Sequence, residues 1–479
     1  MSTYLFYDLE TTGLNKCFDQ ILQFAAIRTD MNFNELERYT TYIQLRPDVI
    51  YSPGAMITNR ISIFESMSGL CEYEAIKEIH RLLNQPGTIS LGYNSLKFDD
   101  EFLRFSFHRN LFPPYTHQYA DGCYRMDILP VTACYFLFKN DIMKWPEIDG
   151  APTLKLEHLS EANRLARGPA HNALVDVEAT IALARLLAEE EDMWKYLTGY
   201  FQKKEDMRRL AVLPPFFGDD GSIGSETESW GLVIGTRYGY ERRYQIPVLS
   251  LGSSIPYSNQ TLWLRLDNPG LRETTLETIE ESTWVVRKKY GEADFILPPS
   301  KRFLANLDAE RLAIVDENRE WLRENRGILS AIVDYYRSYE YPEIPDLDAD
   351  AALYQMGFPD PSDQNLCSRF HSALPKDRAR FIEQFKKPEY KILAGRILCR
   401  NAPSNCEPSV LEAFEHRRLR SILEGDEPLV DYKGEVQGSY SDALDEIDEI
   451  RSERTLDEEQ LQLLDELETY LKSGLKGGG

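Results

Sequence analysis

Asp8 and Glu10 stand two residues apart at the end of an apolar run, YLFYDLE. The two-residue side-chain period of a strand puts both carboxylates on one face, a ready pair of metal ligands. Thr11, Thr12 and Gly13 then turn the chain sharply, at the kind of strand end where open α/β sheets bind ligands. A second acid follows in GYNSLKFDDEFLRF (92–105), where Asn94 breaks a strand and Phe98-Asp99 opens a helix. Asp99 can point back over the same sheet edge; Asp100 competes for that role, and an aspartate at a helix start also serves as an N-cap. In HNALVDVEATIALARLL, His171 precedes a helix and Asp176 lies five residues on, in its first turns. A histidine and a carboxylate flanking one helix start could share a site.

These residues need a scaffold, and the pattern from residue 4 to about 196 supplies an α/β one. Strands are expected at 4–7, 21–29, 39–45 and 88–93, with amphipathic helices over Glu74–Leu83, Phe102–Asn110 and Asn172–Leu187. Beyond about 200 the texture changes to short β-like runs such as WGLVIGTRYGY, QTLWLRL and STWVVRKKY, which fit a small β-rich domain. The Pro- and Asp-rich stretch YEYPEIPDLDAD (339–350) reads as a linker, after which the periodicity is helical. The acidic segment from Ser441 to Ser473 carries Leu and Ile at helical spacing and reads as a solvated amphipathic helix pair. The expected division is 1–196, 197–345 and 346–479.

The formal charge of −24 argues against a general nucleic-acid coat protein, so any contact with a polyanion has to be a local positive track. Between the second and third motifs, EFLRFSFHRNLFPPYTHQYADGCYR interleaves Arg104, Arg109 and Arg125 with Phe and Tyr, including Tyr115. That mixture pairs phosphates and stacks the bases of a single strand; a core aromatic stripe gives the same pattern. Seven cysteines with no C-x-x-C pair read as reduced thiols. The N-terminus has neither a basic leader nor an apolar signal core, and no apolar run is long enough to span a membrane. A cytoplasmic protein is expected.

Taken together, D-x-E, N-x-x-x-F-D and H-x-x-x-x-D resemble the DEDD superfamily of 3′ exonucleases, in its histidine subtype. ETTG after the first carboxylate matches the general superfamily motif. LGYNSLKFDDEFLR, MDILPVTACYFL, WPEIDGAPTLKLEHLSEAN and HNALVDVEATIALA extend the resemblance to the bacterial exonuclease I family, with weaker echoes in FEHRRL and GRILCRNAP.

The resemblance implies an α/β, ribonuclease-H-like exonuclease domain, then an SH3-like α+β domain and an all-helical domain that close a groove for one strand. It implies a 3′-to-5′ exodeoxyribonuclease that degrades single-stranded DNA to 5′-mononucleotides and acts in DNA repair and recombination. Two Mg²⁺ ions roughly 3.5–4 Å apart would clamp the scissile phosphate, one activating water and the other stabilising the leaving oxygen. Magnesium prefers carboxylate and water oxygens, which accounts for Asp8, Glu10, Asp99 and Asp176; Mn²⁺ is expected to substitute. His171 is assigned as general base. Glu10, Thr11, Gly13, Asn94, Arg104, Tyr115 and Arg125 are placed against substrate, with Lys155 where relatives carry an arginine, giving up the bidentate fork. The family also binds the acidic, Phe-ending tail of single-stranded-DNA-binding protein, for which Lys139 and Tyr196 are nominated. A monomer is expected. A relative acting on RNA ends or proofreading would carry the same five residues, but RNA-trimming relatives are generally a single small domain. A non-catalytic DNA-binding scaffold would have had no reason to keep all five.

Overall fold

This computed structural model describes residues 2–168, 172–218 and 226–477, without the side chains of 475–477. Its first sheet is built from Thr3–Thr11 (β1), Ile21–Thr29 (β2), Glu35–Tyr42 (β3), Thr88–Gly92 (β4) and Tyr124–Asp127 (β5), in the order β3-β2-β1-β4-β5. β1 runs antiparallel to β2 and parallel to β4, so it is central and hydrogen-bonded on both sides. Alternation along β1 sorts its side chains. Tyr4 and Phe6 pack with Ala173 and Val177 of the helix Ala173–Ala188, whereas Leu5, Tyr7 and Leu9 face a core shared with the helix Glu72–Leu83. Asp8 and Glu10 continue the first of these two faces, toward the helix that carries Asp176.

The third strand differs from its expected 39–45. It begins at Glu35 because ELER is a solvent-exposed edge whose charged side chains keep it from pairing further; it stops at Tyr42, and Ile43 bridges to Leu70 instead. The helix expected from Phe102 starts three residues earlier, at Asp99.

A small hairpin, Glu147–Ile148 (β6) with Ala151–Pro152 (β7), precedes the second sheet. That sheet comprises Trp230–Ile234 (β8), Gln245–Ser253 (β9), Gln260–Arg265 (β10), Val285–Lys289 (β11) and Phe295–Leu297 (β12), all antiparallel, in the order β11-β10-β9-β8-β12. The helices Ala309–Glu324 and Arg326–Ser338 cover one of its faces.

The C-terminal part is helical. Tyr440–Glu453 and Glu458–Gly477 form the acidic pair; their apolar stripe (Ile447, Ile450, Leu464, Leu467) packs on Met56 and Ile57 near the first sheet. The stretch read as a linker is tied down. Asp348 and Asp350 are buried in a charge lattice with Arg396, Arg400 and Arg417, and Arg400 also reaches Asp48 of the N-terminal part at 2.6 Å. Six aligned charges exchanging hydrogen bonds can be buried where one alone could not. The FEHRRL and GRILCRNAP segments supply those arginines.

Candidate active site at the edge of the first sheet

β1 delivers Asp8 and Glu10 opposite Ala25 and Gln23 of β2, with the register breaking between Glu10 and Thr11 as the strand ends. Asp176 arrives from the first turn of the helix Ala173–Ala188. Asn172 caps that helix by accepting from the N–H groups of Leu174 and Val175, and Ala173 N–H donates to Gln23 at 3.2 Å, fixing the helix start against β2. Carboxylate oxygens of Asp8, Glu10 and Asp176 consequently lie within 4.8 Å of one another. Asp99 enters from the first turn of its own helix, with only 4% of its surface exposed.

Crowding four acids in a partly dry pocket has the expected electrostatic result. Burial, then the charges of Asp99, Glu10 and Asp176, hold the Asp8 carboxyl well above the usual carboxylate range. Glu10 is pushed up to about 9 by burial and by Asp176 and Asp99. Asp99 is pushed up to about 8, chiefly by burial, with Asp127 and Asp100 adding to it and backbone N–H groups opposing. No lysine or arginine among the described residues pairs with Asp8, Glu10 or Asp99. An all-oxygen donor set fits a hard divalent ion. His171 lies outside the described residues.

Two buried aspartates absent from the sequence expectations hold this edge together. Asp19 accepts from Asn15 N–H at 2.8 Å and from Thr12 Oγ1 at 3.4 Å, closing the turn after β1. A side chain at Gly13 would collide with the Asp19 carboxylate, which explains that glycine. Asp127, at the end of β5, accepts from Asn94 N–H (2.9 Å), Leu96 N–H (3.2 Å) and Leu129 N–H (3.0 Å). It thereby caps the helix Ile128–Phe138 and sets the loop that leads to Asp99, in which Asn94 takes φ = 63° and is exposed. An aspartate between a short strand and an apolar helix is the only signal the sequence carried for it.

Thr11 is buried and donates from Oγ1 to the carbonyl of Gly13. Lys155 precedes the helix Leu156–Asn163 with its side chain 70% exposed, 3.6 Å from Glu157, so its ammonium reaches outward. The arginines fall elsewhere. Arg104 and Arg125 are buried and converge on Asp100, each at 2.5 Å, with His117 completing the group at 3.0 Å; Glu292, from the second sheet's side, pairs with Arg125 at 3.0 Å. Arg109 is fully buried between Glu72 and the Cys17 carbonyl. Their charges are spent inside the protein, because acids distant in sequence reach them. Tyr115 is half-buried under Arg104 and meets Phe358 edge-on. Lys139 pairs with Glu190 at 3.0 Å. Tyr196 lines a cavity of about 630 Å³ with Lys195, Arg208 and Arg209, the last lying over the Tyr196 and Tyr200 rings; Lys139 is not among its lining residues.

Residues 5–184 match the family model described as Exonuclease, and residues 347–474 match Exonuclease I C-terminal domain. The chain is 30% identical over 431 residues to exodeoxyribonuclease I of Escherichia coli strain K12, covering 87% of this chain and 89% of that one. The fold is similar to that of E. coli exonuclease I solved with a dA16 oligonucleotide, at 26% identity and a TM-score of 0.81, over 99% of this chain and 100% of that one. It is likewise similar to a structure described as SSB/exonuclease I in complex with an inhibitor, at 24% identity and a TM-score of 0.81, with the same coverage. No helix of the described residues is long and apolar enough to cross a membrane.

Proposed function

The chain belongs to the exodeoxyribonuclease I family, and from that premise we propose that Asp8, Glu10, Asp99 and Asp176 are the centre at which it releases 5′-mononucleotides from the 3′ end of single-stranded DNA. It is a 3′-to-5′ exonuclease and a phosphodiesterase. The observation that carries the assignment of the site is the convergence of the carboxylates of Asp8, Glu10 and Asp176 within 4.8 Å, with Asp99 close enough to act on Asp8.

A divalent ion belongs in such a cluster, and we assign magnesium, two per site, held by these four residues, with manganese as substitute. Bound magnesium supplies Lewis acidity, polarising oxygens and offsetting charge on the phosphate. The protein's own groups do the rest. His171 accepts a proton from the attacking water, a role matched to an ordinary pKa of about 6.5. Asp127 and Asp19 fix the two loops that flank the carboxylates, so that Asn94 and the backbone at Thr11 and Gly13 meet the terminal nucleotide in a set geometry. Lys155 offers its exposed ammonium to a phosphate of the strand. Arg104 and Arg125 act at one remove, holding Asp100 and so the helix turn that presents Asp99.

We further assign the chain three parts, 1–196, 197–345 and 346–479. It works as a cytoplasmic monomer in DNA repair, and its partner is the acidic tail of single-stranded-DNA-binding protein, received near Tyr196 and Lys139. A structure described as SSB/exonuclease I supports that partner, and the cavity beside Tyr196, lined by Lys195 and by the apolar Val212, Leu213 and Ile296, supports the place. The test is digestion of 5′-labelled single-stranded DNA and RNA of one sequence, with magnesium or with chelator. A magnesium-dependent ladder shortening from the 3′ end, faster on DNA, is expected; preference for RNA, or release in chelator, would overturn the assignment.

A further inference from the structure

Two loops from distant parts of the chain meet beside the helix that carries Asp99. One is the turn after β1, Gly13 to Cys17; the other is a tight turn closed by the Gln437 N–H to Leu429 carbonyl bond and the Val430–Val436 bridge. Asp431 builds the second turn. One of its carboxylate oxygens accepts from the N–H groups of Lys433 (2.8 Å) and Glu435 (3.0 Å), and Gly434 takes the positive φ the turn needs. The other oxygen accepts from the Asn15 side chain at 3.3 Å, tying the turn to the first loop. The first loop is itself anchored, since Arg109 donates to the Cys17 carbonyl at 2.7 Å.

The consequence is a pair of cations beside that helix. The Lys16 ammonium lies 4.7 Å from the centre of the Phe98 ring, beside the residue that precedes Asp99. Lys433 is exposed, its ammonium 5.5 Å from the ring of Tyr432, which packs on Phe105 of the same helix as Asp99. Burial lowers the Lys16 pKa and the neighbouring charge of Lys433 lowers it further, while Glu101, Asp19 and Asp99 act in the opposite sense, so all of these charges reach it. Among the described residues no carboxylate pairs with either ammonium: Lys16 donates only to the Leu14 carbonyl of its own loop. Two like charges on turns tied together by the Asn15–Asp431 bond, neither in a direct ion pair among the described residues, make a place for an anion.

We propose that Lys16 and Lys433 together hold a backbone phosphate of the strand next to the one being cleaved, Lys433 being the C-terminal part's own contribution to the nuclease site. This rests on the proposed function, since it presupposes that the strand's 3′ end enters the acidic cluster. A phosphate so held would set how far the strand advances, and it would be read without regard to base.

The test is binding of fluorescein-labelled oligo-dT in chelator, across a salt series, by wild type, Lys16→Met, Lys433→Ala and the double variant. Methionine keeps the apolar stem over Phe98. Each single substitution is expected to weaken binding by roughly tenfold and to lower the slope of log affinity against log salt in part, the double variant by about 0.7, the share of one phosphate on a single strand. Replacing the contacted phosphate with a neutral methylphosphonate should weaken wild type and leave the double variant unchanged. Unchanged slopes and affinities in a protein that does release nucleotides would overturn the lysine pair alone. Lysine-dependent slopes in a wild type that releases nothing with magnesium would uphold the pair as a strand contact and overturn the proposed function.

Discussion

Asp99 and Asp100 are adjacent in the chain, yet their carboxyl groups sit in opposite electrostatic surroundings. Burial, with Asp127 and Asp100 adding to it, raises Asp99 to about 8, whereas Arg104, Arg125 and His117 outweigh burial and hold Asp100 well below the usual carboxylate range. Their substitutions should therefore part company. Asp99→Asn is expected to keep or raise stability while reducing nucleotide release by about 10²-fold or more, the loss of several kcal/mol of charge stabilisation. Asp100→Asn should cost about 3–5 kcal/mol in urea unfolding, because it leaves buried arginines without their partner. Denaturation curves and product assays on the two variants check this; a destabilised Asp99→Asn beside a stable Asp100→Asn would refute it.

The acidic cluster makes stability depend on pH in a definite direction. Asp99 and Glu10 have ordinary values of 3.8 and 4.5, and the fold raises them to about 8 and about 9. The native state therefore holds protons that the unfolded chain has released. The contribution is complete below about pH 4 and is lost as pH rises through 8 to 9. Melting temperature in chelator should fall progressively from about pH 4 to about pH 9 and level off above it, and magnesium should restore most where the loss is greatest. Melts on Glu10→Gln should show a weaker pH dependence and a smaller response to magnesium.

Arg400 bridges Asp48 and Asp350 with its side chain 1% exposed. Arg400→Met leaves those buried carboxylates facing one cation fewer, and about 3–5 kcal/mol of unfolding free energy should be lost. Arg60, exposed and paired with Asp457, is the control: its replacement by alanine should leave the unfolding midpoint where it was.

The chemistry was legible in the sequence because it is local. D-x-E at a strand end, and acids at two helix starts, are set by the periods of strand and helix. β2, buried along its whole length, was equally plain, while β3 was misplaced because an edge strand carries charge where a central one carries Val or Ile. What stayed hidden depends on residues far apart in the chain. Arginines interleaved with aromatics look the same in a DNA track and in a buried ion lattice; only the arrival of Glu72 and Glu292 separates the two. Asp127 and Asp431 act through backbone N–H groups, and such partners leave no mark on residue type.

The face proposed for the acidic tail yields a prediction of its own. Lys139 is paired with Glu190 and lies off the cavity at Tyr196, where Arg208 and Arg209 are both paired with Glu205 and Lys195 also lines the wall. Lys139→Glu should weaken binding of an acidic, Phe-ending peptide by electrostatics and lose that effect at high salt, whereas Tyr196→Ala should weaken it at any salt. Titration of a labelled peptide distinguishes the two, and an unchanged affinity in both variants would remove this face as the tail's receiver.

Three stretches of chain build one pocket of carboxylates, and a crystal soaked in manganese examines it directly. Anomalous density is predicted among the carboxylates of Asp8, Glu10, Asp99 and Asp176, and should vanish in Asp8→Ala. Manganese bound elsewhere, with these four side chains left without an ion, would contradict it.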